Sequence, residues 1–383
     1  MAVEGVRRPA WAEISASAIG HNVRAIKHVV GDIALCAVVK ANAYGHGAPL
    51  VATAAVAAGA EYLAVAIVDE GIELREHGIT VPILVLAEIP AATIRDALTH
   101  DLAITVGSTA GARDAVAAAE LLGGRHRVHV KVDTGMHRMG IVPEDINDVF
   151  DVLASSSSID VEGLYTHFSV AGGTSDADRA FTRAQIQGFN DVITQLSERD
   201  ILPRVLHAAN TAGTLGHPDA RYSMVRAGIA LYGYLPSGWL ASALDEHGEH
   251  LEPALTLRAR VVAVRRVTEG ARPSYGRLRV AERDTTVVTV PFGYADGYPR
   301  RLFDGGAEVL IKGRRYPLAG DVTMDQIVVD VGDDEVKLGD EVVLLGRQGD
   351  ETITADDWAG WAGTVSWEIL ACLGARVPRV LID

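Results

Sequence analysis

Residues 33–47 read Ile-Ala-Leu-Cys-Ala-Val-Val-Lys-Ala-Asn-Ala-Tyr-Gly-His-Gly. An apolar run closes on Lys40 and passes into small residues, an aromatic and two glycines, the pattern of a buried strand feeding a shaped loop. Strand-like runs recur downstream at Tyr62–Ile67, Ile83–Ala87, Ala103–Val106, Arg127–Val132, Val161–Phe168, Arg204–Ala208 and Met224–Leu231. Helix-like segments such as Pro49–Ala58, Thr109–Leu122 and Asp178–Ser197 lie between them. With Ala34–Lys40 the strand-like runs number eight. Strands alternating with helices predict an α/β fold, a (β/α)8 barrel of the TIM type.

Beyond Leu244 the texture changes. Val261–Val267, Thr286–Val290, Val309–Lys312, Ile327–Val331 and Glu341–Leu345 are rich in strand formers, separated by turns such as Asp304-Gly305-Gly306 and Gly332-Asp333-Asp334. No long helical pattern intervenes before about Asp356. The sequence therefore divides into a barrel domain, 1–244, and a mostly β C-terminal domain, 245–383, with the polar stretch Asp245–Glu252 as the linker. Ser155–Ser158 reads as a loop.

The totals narrow the function. A chain of 383 residues with 48% hydrophobic content buries a large core. A formal charge of −15 argues against a nucleic-acid partner or a polybasic membrane-surface protein. Cys36 and Cys372 have no paired spacing, which suits a reducing compartment. Met1–Arg8 lacks an apolar core of a signal peptide, so a cytoplasmic enzyme is expected. No histidine spacing resembles HExxH, and no metal is expected.

In a (β/α)8 barrel the chemistry sits where the strands end. A lysine there, such as Lys40, either reaches solvent or serves chemistry. Beside a ligand, desolvation lowers an amine's pKa and frees it to form an imine. The stretch Val38-Val39-Lys40-Ala41-Asn42-Ala43-Tyr44-Gly45-His46-Gly47 resembles the cofactor-lysine segment of the alanine racemase family. The other motifs follow in that family's order, and the resemblance runs from about Trp11 to Val380.

The resemblance implies pyridoxal 5′-phosphate (PLP) held on Lys40 as a Schiff base, with Tyr44 nearby. Arg138, in Lys131-Val132-Asp133-Thr134-Gly135-Met136-His137-Arg138, matches the family's arginine on the cofactor's phenolic oxygen and the substrate carboxylate. A guanidinium suits that work because it is always charged and forks onto carboxylates. Lys131 occupies the place of a lysine that the family often carbamylates. His167 matches a relay from the catalytic tyrosine to Arg226, and His207 a residue behind it. Asn210, Thr211, Gly228 and Ile229 match the phosphate-binding region, with Thr211 where the family usually has serine. Arg226 would face the pyridine nitrogen, keep it unprotonated and so weaken the ring as an electron sink, favouring racemisation.

Racemisation needs a base on each face of a planar carbanion. The resemblance assigns these to Lys40 and to Tyr275, in Ser274-Tyr275-Gly276. A free phenol titrates near ~10, so the His167–Arg226 relay would assist it. Tyr294 would line the inner entrance, while Met324 and Asp325 would meet the substrate. The family's β domain closes a second subunit's barrel, which implies a homodimer with its active site completed in trans.

Three positions depart from the family pattern. Trp367, in Ser366-Trp367-Glu368, replaces a tyrosine that contacts phosphate; indole has an N–H but no hydroxyl. Thr323 replaces a common cysteine, and Arg277-Leu278-Arg279 replaces a small, threonine-rich segment. The expected activity is interconversion of L- and D-alanine, which in the family supplies cell-wall peptidoglycan. A racemase of another small amino acid such as serine, a barrel-type PLP decarboxylase and a non-catalytic PLP-binding barrel are the alternatives. The decarboxylases place a catalytic cysteine segment in the β domain, whereas Leu370-Ala371-Cys372-Leu373 is an apolar run. The non-catalytic barrels lack a β domain.

Overall fold

The computed structural model describes residues 7–383. The reading of Met1–Arg8 as leaderless falls almost wholly outside them. No helix of the described residues is long and apolar enough to cross a membrane. The chain forms two compact units.

The first unit spans Ser17–Ala43 and Ala48–Glu252. After a strand at Ala10–Ile14 (β1), which belongs to the other unit, its strands are β2 (Ala34–Val38), β3 (Tyr62–Val65), β4 (Ile83–Glu88), β5 (Leu102–Val106), β6 (His126–Lys131), β7 (Ile159–Tyr165), β8 (Val205–His207) and β9 (Met224–Ala227). All pairings are parallel, running β8-β7-β6-β5-β4-β3-β2-β9. The ring closes where Ser223 N–H donates to Leu206 O at 3.1 Å and Arg226 N–H to Ala209 O at 2.9 Å. Closure removes the exposed edges that an open parallel sheet would leave. Helices between the strands turn small apolar faces inward: Ala112, Ala115 and Ala119 of Thr109–Leu122 are buried. Ser108 caps that helix by accepting the Gly111 N–H at 2.9 Å.

Several expected strands end early, two of them at the site. Lys40 lies two residues beyond β2, and the run Met224–Leu231 stops at Ala227, because Gly228 (φ −110°, ψ −94°) turns the chain into a 3-10 helix at Ile229–Tyr232. Apolar content alone does not distinguish a buried turn from a buried strand.

The second unit contains Pro253–Asp383, Tyr44–Gly47 and the described N-terminal residues up to Ala16. The N-terminal strand therefore departs from the sequence-based division. β1 pairs antiparallel with β10 (Leu255–Arg260) and parallel with a C-terminal strand at Arg379–Leu381. Its short run carried no helix-or-strand partner signal in the sequence, since both partners lie more than two hundred residues away. The remaining strands are β11 (Ala263–Val267), β12 (Thr285–Val290), β13 (Glu308–Ile311), β14 (Arg314–Pro317), β15 (Ile327–Gly332), β16 (Glu341–Gln348) and β17 (Glu351–Ile353), with Arg379–Leu381 as β18. One sheet runs β14-β13-β16-β10-β1-β18 with β17 attached to β16, and a smaller one runs β11-β12-β15. Trp358, on the helix Ala355–Ala362, fills this unit's core and donates its indole N–H to Leu344 O at 2.9 Å.

Candidate active site

The mouth of the barrel gathers cations. Lys40 follows β2, Lys131 ends β6, Arg226 lies on β9, and Arg138 and His167 sit in the loops after β6 and β7. After Lys40 the backbone does something rare: Ala41, Asn42 and Ala43 all adopt left-handed angles (φ 53°, 52° and 52°). Each such residue costs roughly 1–2 kcal/mol without glycine's freedom. Local hydrogen bonds offset that cost. Ala43 N–H returns to Val39 O at 2.8 Å, Asn42 Oδ1 accepts the Ala48 N–H at 2.8 Å, and Glu70 accepts the Ala41 N–H at 2.6 Å. The turn fixes the backbone from which the Lys40 side chain starts. Tyr44 (φ 50°) continues the turn and opens the short segment that is grouped with the second unit.

The electrostatics follow from this crowding. Burial and then the Arg138 charge lower the Lys40 pKa, against the raising effect of Glu70. The buried Lys131 amine is brought down to about 8 by burial first, then by Arg138 and Arg226, with Asp133 opposing. His167 is held well below its usual range by burial and by Arg226. The mouth therefore favours an anionic occupant.

Arg226 is buried and organises the histidines. Its guanidinium donates to His207 Nδ1 at 2.7 Å and His167 Nδ1 at 3.1 Å, and to the carbonyls of Thr166 (2.8 Å) and Ala208 (2.9 Å). Tyr165 lies beneath, its ring 4.6 Å from that of His207 and stacked at 8°. Lys131 Nζ and the Arg226 guanidinium stand 5.6 and 5.2 Å from the same Tyr165 ring.

Two of the residues expected to bind phosphate have local work to do. Asn210 caps the helix Thr211–Gly216 by accepting the Gly213 N–H at 3.0 Å. Thr211 Oγ1 accepts the Gly228 N–H at 3.0 Å, which ties this helix start to the turn after β9.

Arg138 is exposed and is carried by a loop whose closure can be traced. Asp133 Oδ1 accepts the N–H groups of Gly135 (2.9 Å) and His137 (3.1 Å). Ile141 N–H returns to Lys131 O at 2.8 Å. Gly140 makes the closure possible: its φ is +135°, and a Cβ would stand 2.8 Å from Asp133 N. Gly140→Ala is therefore expected to shift Arg138 and reduce kcat/KM by about 100-fold, with far-UV circular dichroism unchanged. Wild-type kinetics in that variant would show that the loop closure does not position Arg138.

In the second unit Tyr275, Tyr294, Met324 and Asp325 line one cavity of roughly 800 Å³, with Arg300, Asp321 and Thr323 among its other walls. Tyr275 is 73% exposed and held between residues of positive φ, Ser274 (67°) and Gly276 (68°). Ser274 Oγ donates to Asp321 O at 2.6 Å and fixes the approach. The Tyr294 segment is clasped to Met324: Tyr294 N–H donates to Thr323 O and Ala295 N–H to Met324 O, each at 3.0 Å. A side chain at Gly293 would collide with Thr323 O, so the clasp needs glycine there. Asp325 is held by Arg376 at 2.7 Å. Trp367, on the helix Ser366–Ala371, is not among the lining residues of this cavity. Thr323 Oγ1 closes its own turn onto Gln326 O at 2.8 Å.

Sequence reading missed His129 and Glu162, both buried in the barrel interior behind His207. The signal was present: Arg127, His129 and Lys131 alternate along β6, so His129 shares a strand face with Lys131.

A barrel with a lysine of lowered pKa, a buried arginine–histidine relay and a cation-rich mouth has the make-up of an enzyme whose chemistry sits at its strand ends and suits phosphate and carboxylate groups. Residues 14–236 match the family model "Alanine racemase, N-terminal domain", and residues 254–381 match "Alanine racemase, C-terminal domain". The chain is 44% identical to an alanine racemase of Symbiobacterium thermophilum over 99% of its own length and 98% of that protein's. It superposes with TM-score 0.92 on the Bacillus anthracis alanine racemase with bound L-Ala-P, at 38% identity, covering 99% of this chain and 96% of that one. It also matches a histidine racemase of Leuconostoc mesenteroides, with TM-score 0.89 and 30% identity, over 98% and 99% of the two chains. The chain belongs to the alanine racemase family, and it is an isomerase of that family.

Proposed function

We propose that this chain interconverts L- and D-alanine with bound PLP, using Lys40 and Tyr275 as the two bases. The carrying observation is the barrel mouth, where Lys40, Lys131, Arg138 and Arg226 act on one another electrostatically in a protein of net charge −15. That donor set suits a phosphorylated cofactor and a carboxylate substrate. PLP, when bound, supplies the electron sink that makes the α-proton removable. Lys40 holds the cofactor and serves one face. Arg138 takes the substrate carboxylate, Arg226 faces the ring nitrogen, and the turn carrying Thr211, Gly228 and Ile229 receives the phosphate. Asn210 contributes by capping that turn, and Trp367 takes the place of the family's tyrosine. Tyr275 serves the other face from a second copy, with Tyr294, Met324 and Asp325 around it, so the working form is a homodimer. His167, kept neutral by its lowered pKa, supports the tyrosine by donating from Nε2, since its Nδ1 accepts from Arg226.

The named relatives favour alanine, since the curated proteins at 37–44% identity are alanine racemases. The histidine racemase match supports a second reading, in which the same scaffold serves another amino acid. Incubation with individual L-amino acids and PLP, followed by chiral chromatography, separates them. D-alanine as the main product supports the proposal. A different D-amino acid formed faster, or an amine with no D-isomer, overturns it.

Lys131 is proposed to be carbamylated. Its pKa near 8 leaves more neutral amine at pH 7 than an ordinary lysine has, and neutral amine is the form that adds carbon dioxide. The carbamate would replace a cation beside Arg138 and Arg226 with an anion. Protein grown with ¹³C-bicarbonate is expected to show one carbamate carbonyl resonance that disappears in Lys131→Ala. Its absence from the wild-type spectrum would refute the modification.

A further inference from the structure

Arg226 poses an electrostatic problem. It is 2% exposed, and among the described residues no carboxylate lies within ion-pair distance of it. A buried cation without compensation is costly. The hydrogen bonds continue past His207, however. His207 Nε2 meets His129 Nδ1 at 2.9 Å, and His129 Nε2 meets Glu162 Oε2 at 3.2 Å. Glu162 Oε1 accepts from Arg204 at 2.8 Å, and Arg204 is more than half exposed. A line of bonds therefore joins the arginine at the barrel mouth to a carboxylate, and through it to a solvent-facing cation.

The two ends dictate the direction of the whole line. A guanidinium only donates, so His207 Nδ1 must accept and its Nε2 must carry the proton. His129 then accepts at Nδ1 and donates from Nε2 to the carboxylate, which only accepts. Both rings are neutral and both are the Nε2–H tautomer. Packing leaves little alternative. A side chain at Gly163 would collide with His129 Nδ1, and Tyr165 stacks on His207. Burial lowers the pKa of both histidines, which agrees with neutral rings although the Glu162 charge opposes the shift at His129.

We propose that Glu162 and His129 are positioning residues that act through His207 to orient Arg226 and to supply its distant counter-charge. Their role in turnover rests on the reading that Arg226 faces the cofactor's ring nitrogen. The bond network itself does not rest on it. With Glu162 neutral, only the guanidinium end still sets the direction of the line, and the weakened far end lets His207 move its proton to Nδ1 at the expense of its bond to Arg226.

The first measurement is long-range ¹H–¹⁵N correlation on histidine-labelled protein, with and without PLP. Both rings are expected as Nε2–H at pH 7. An Nδ1–H tautomer or an imidazolium at either position would overturn the relay. The second uses Glu162→Gln, which preserves volume. His207 is expected to lose its single tautomer, the visible band of bound PLP to shift, and kcat to fall about tenfold with KM for alanine within about twofold. Glu162→Asp, which restores the charge, is expected to recover part of kcat and the single tautomer. If Glu162→Gln binds PLP and leaves the tautomers and kcat unchanged, the proposal fails while the racemase reading stands. If the wild-type tautomers are as expected but PLP does not bind, the racemase reading fails and takes the role in turnover with it. Should Glu162→Gln not fold, His129→Gln, with kcat and the His207 tautomer as readouts, decides the question: an unchanged pair overturns the proposal.

Discussion

Lys40→Ala is expected to remove both turnover and the visible absorbance of bound cofactor while leaving the fold intact. The side chain starts from a backbone fixed by the left-handed turn Ala41–Ala43, and that turn is held by Val39, Asn42 and Glu70 rather than by the lysine amine. Truncation should therefore leave the turn in place. The amine also sits among like charges: Arg138 lowers its pKa, and it in turn lowers that of Lys131. Because the folded-state pKa is below the ordinary lysine value, the protonated amine is a net cost to the native state. That cost is fully present below the lowered value and is relieved as pH rises from there to the ordinary lysine value. Removing the amine should thus leave the melting temperature at neutral pH unchanged or slightly raised. Activity should fall by about 10⁴-fold or more, since both the covalent anchor and a base are lost. Added methylamine is expected to restore a small fraction of turnover, because a free amine can then take up the proton. Full turnover in Lys40→Ala, with the visible band retained, would end the scheme.

Much of the barrel was legible because its strands are buried on both faces and read as apolar runs, while the helices between them keep their own period. Thr109–Leu122 was read as a helix from its pattern, and the structure places a helix at those residues, with Ser108 as its cap. Lys40 stood out because a charge at the end of an apolar run is conspicuous, whereas Lys131 and Arg226 were pointed to by the family resemblance. Long-range pairing was not legible. β1 packs with strands from the far end of the chain, and no local pattern in Ala10–Ile14 names those partners. Glu162 was missed for a related reason: it looks like an ordinary polar residue on its own strand, and only the barrel's closure links it, through His129, to His207. The left-handed turn was hidden as well. Ala41, Asn42 and Ala43 are not glycines, and nothing in their composition announces φ near 52°.

Tyr275→Phe is expected to reduce racemisation by about 10²–10⁴-fold, the range for loss of one acid–base group, while leaving the visible cofactor band in place. The substitution removes only a hydroxyl from a side chain that is 73% exposed, so stability should change little. The loop that carries it is set by Ser274 and Gly276, not by the phenol. A one-sided defect has a signature beyond rate. The proton that Lys40 handles should still exchange with solvent, so one enantiomer of alanine should take up deuterium from D₂O faster than it racemises. The same variant also tests whether the tyrosine comes from another copy. In a homodimer with sites completed in trans, co-expressing Lys40→Ala and Tyr275→Phe chains gives heterodimers in which one site carries both defects and the other carries neither. Random pairing makes half the dimers mixed, each with one intact site, so activity should return to about a quarter of wild type. If each chain used its own tyrosine, the same mixture would contain no intact site, and activity would stay at the level of the single variants. Recovery thus requires a second subunit at the reaction itself, which dimerisation measured by size alone could not demonstrate.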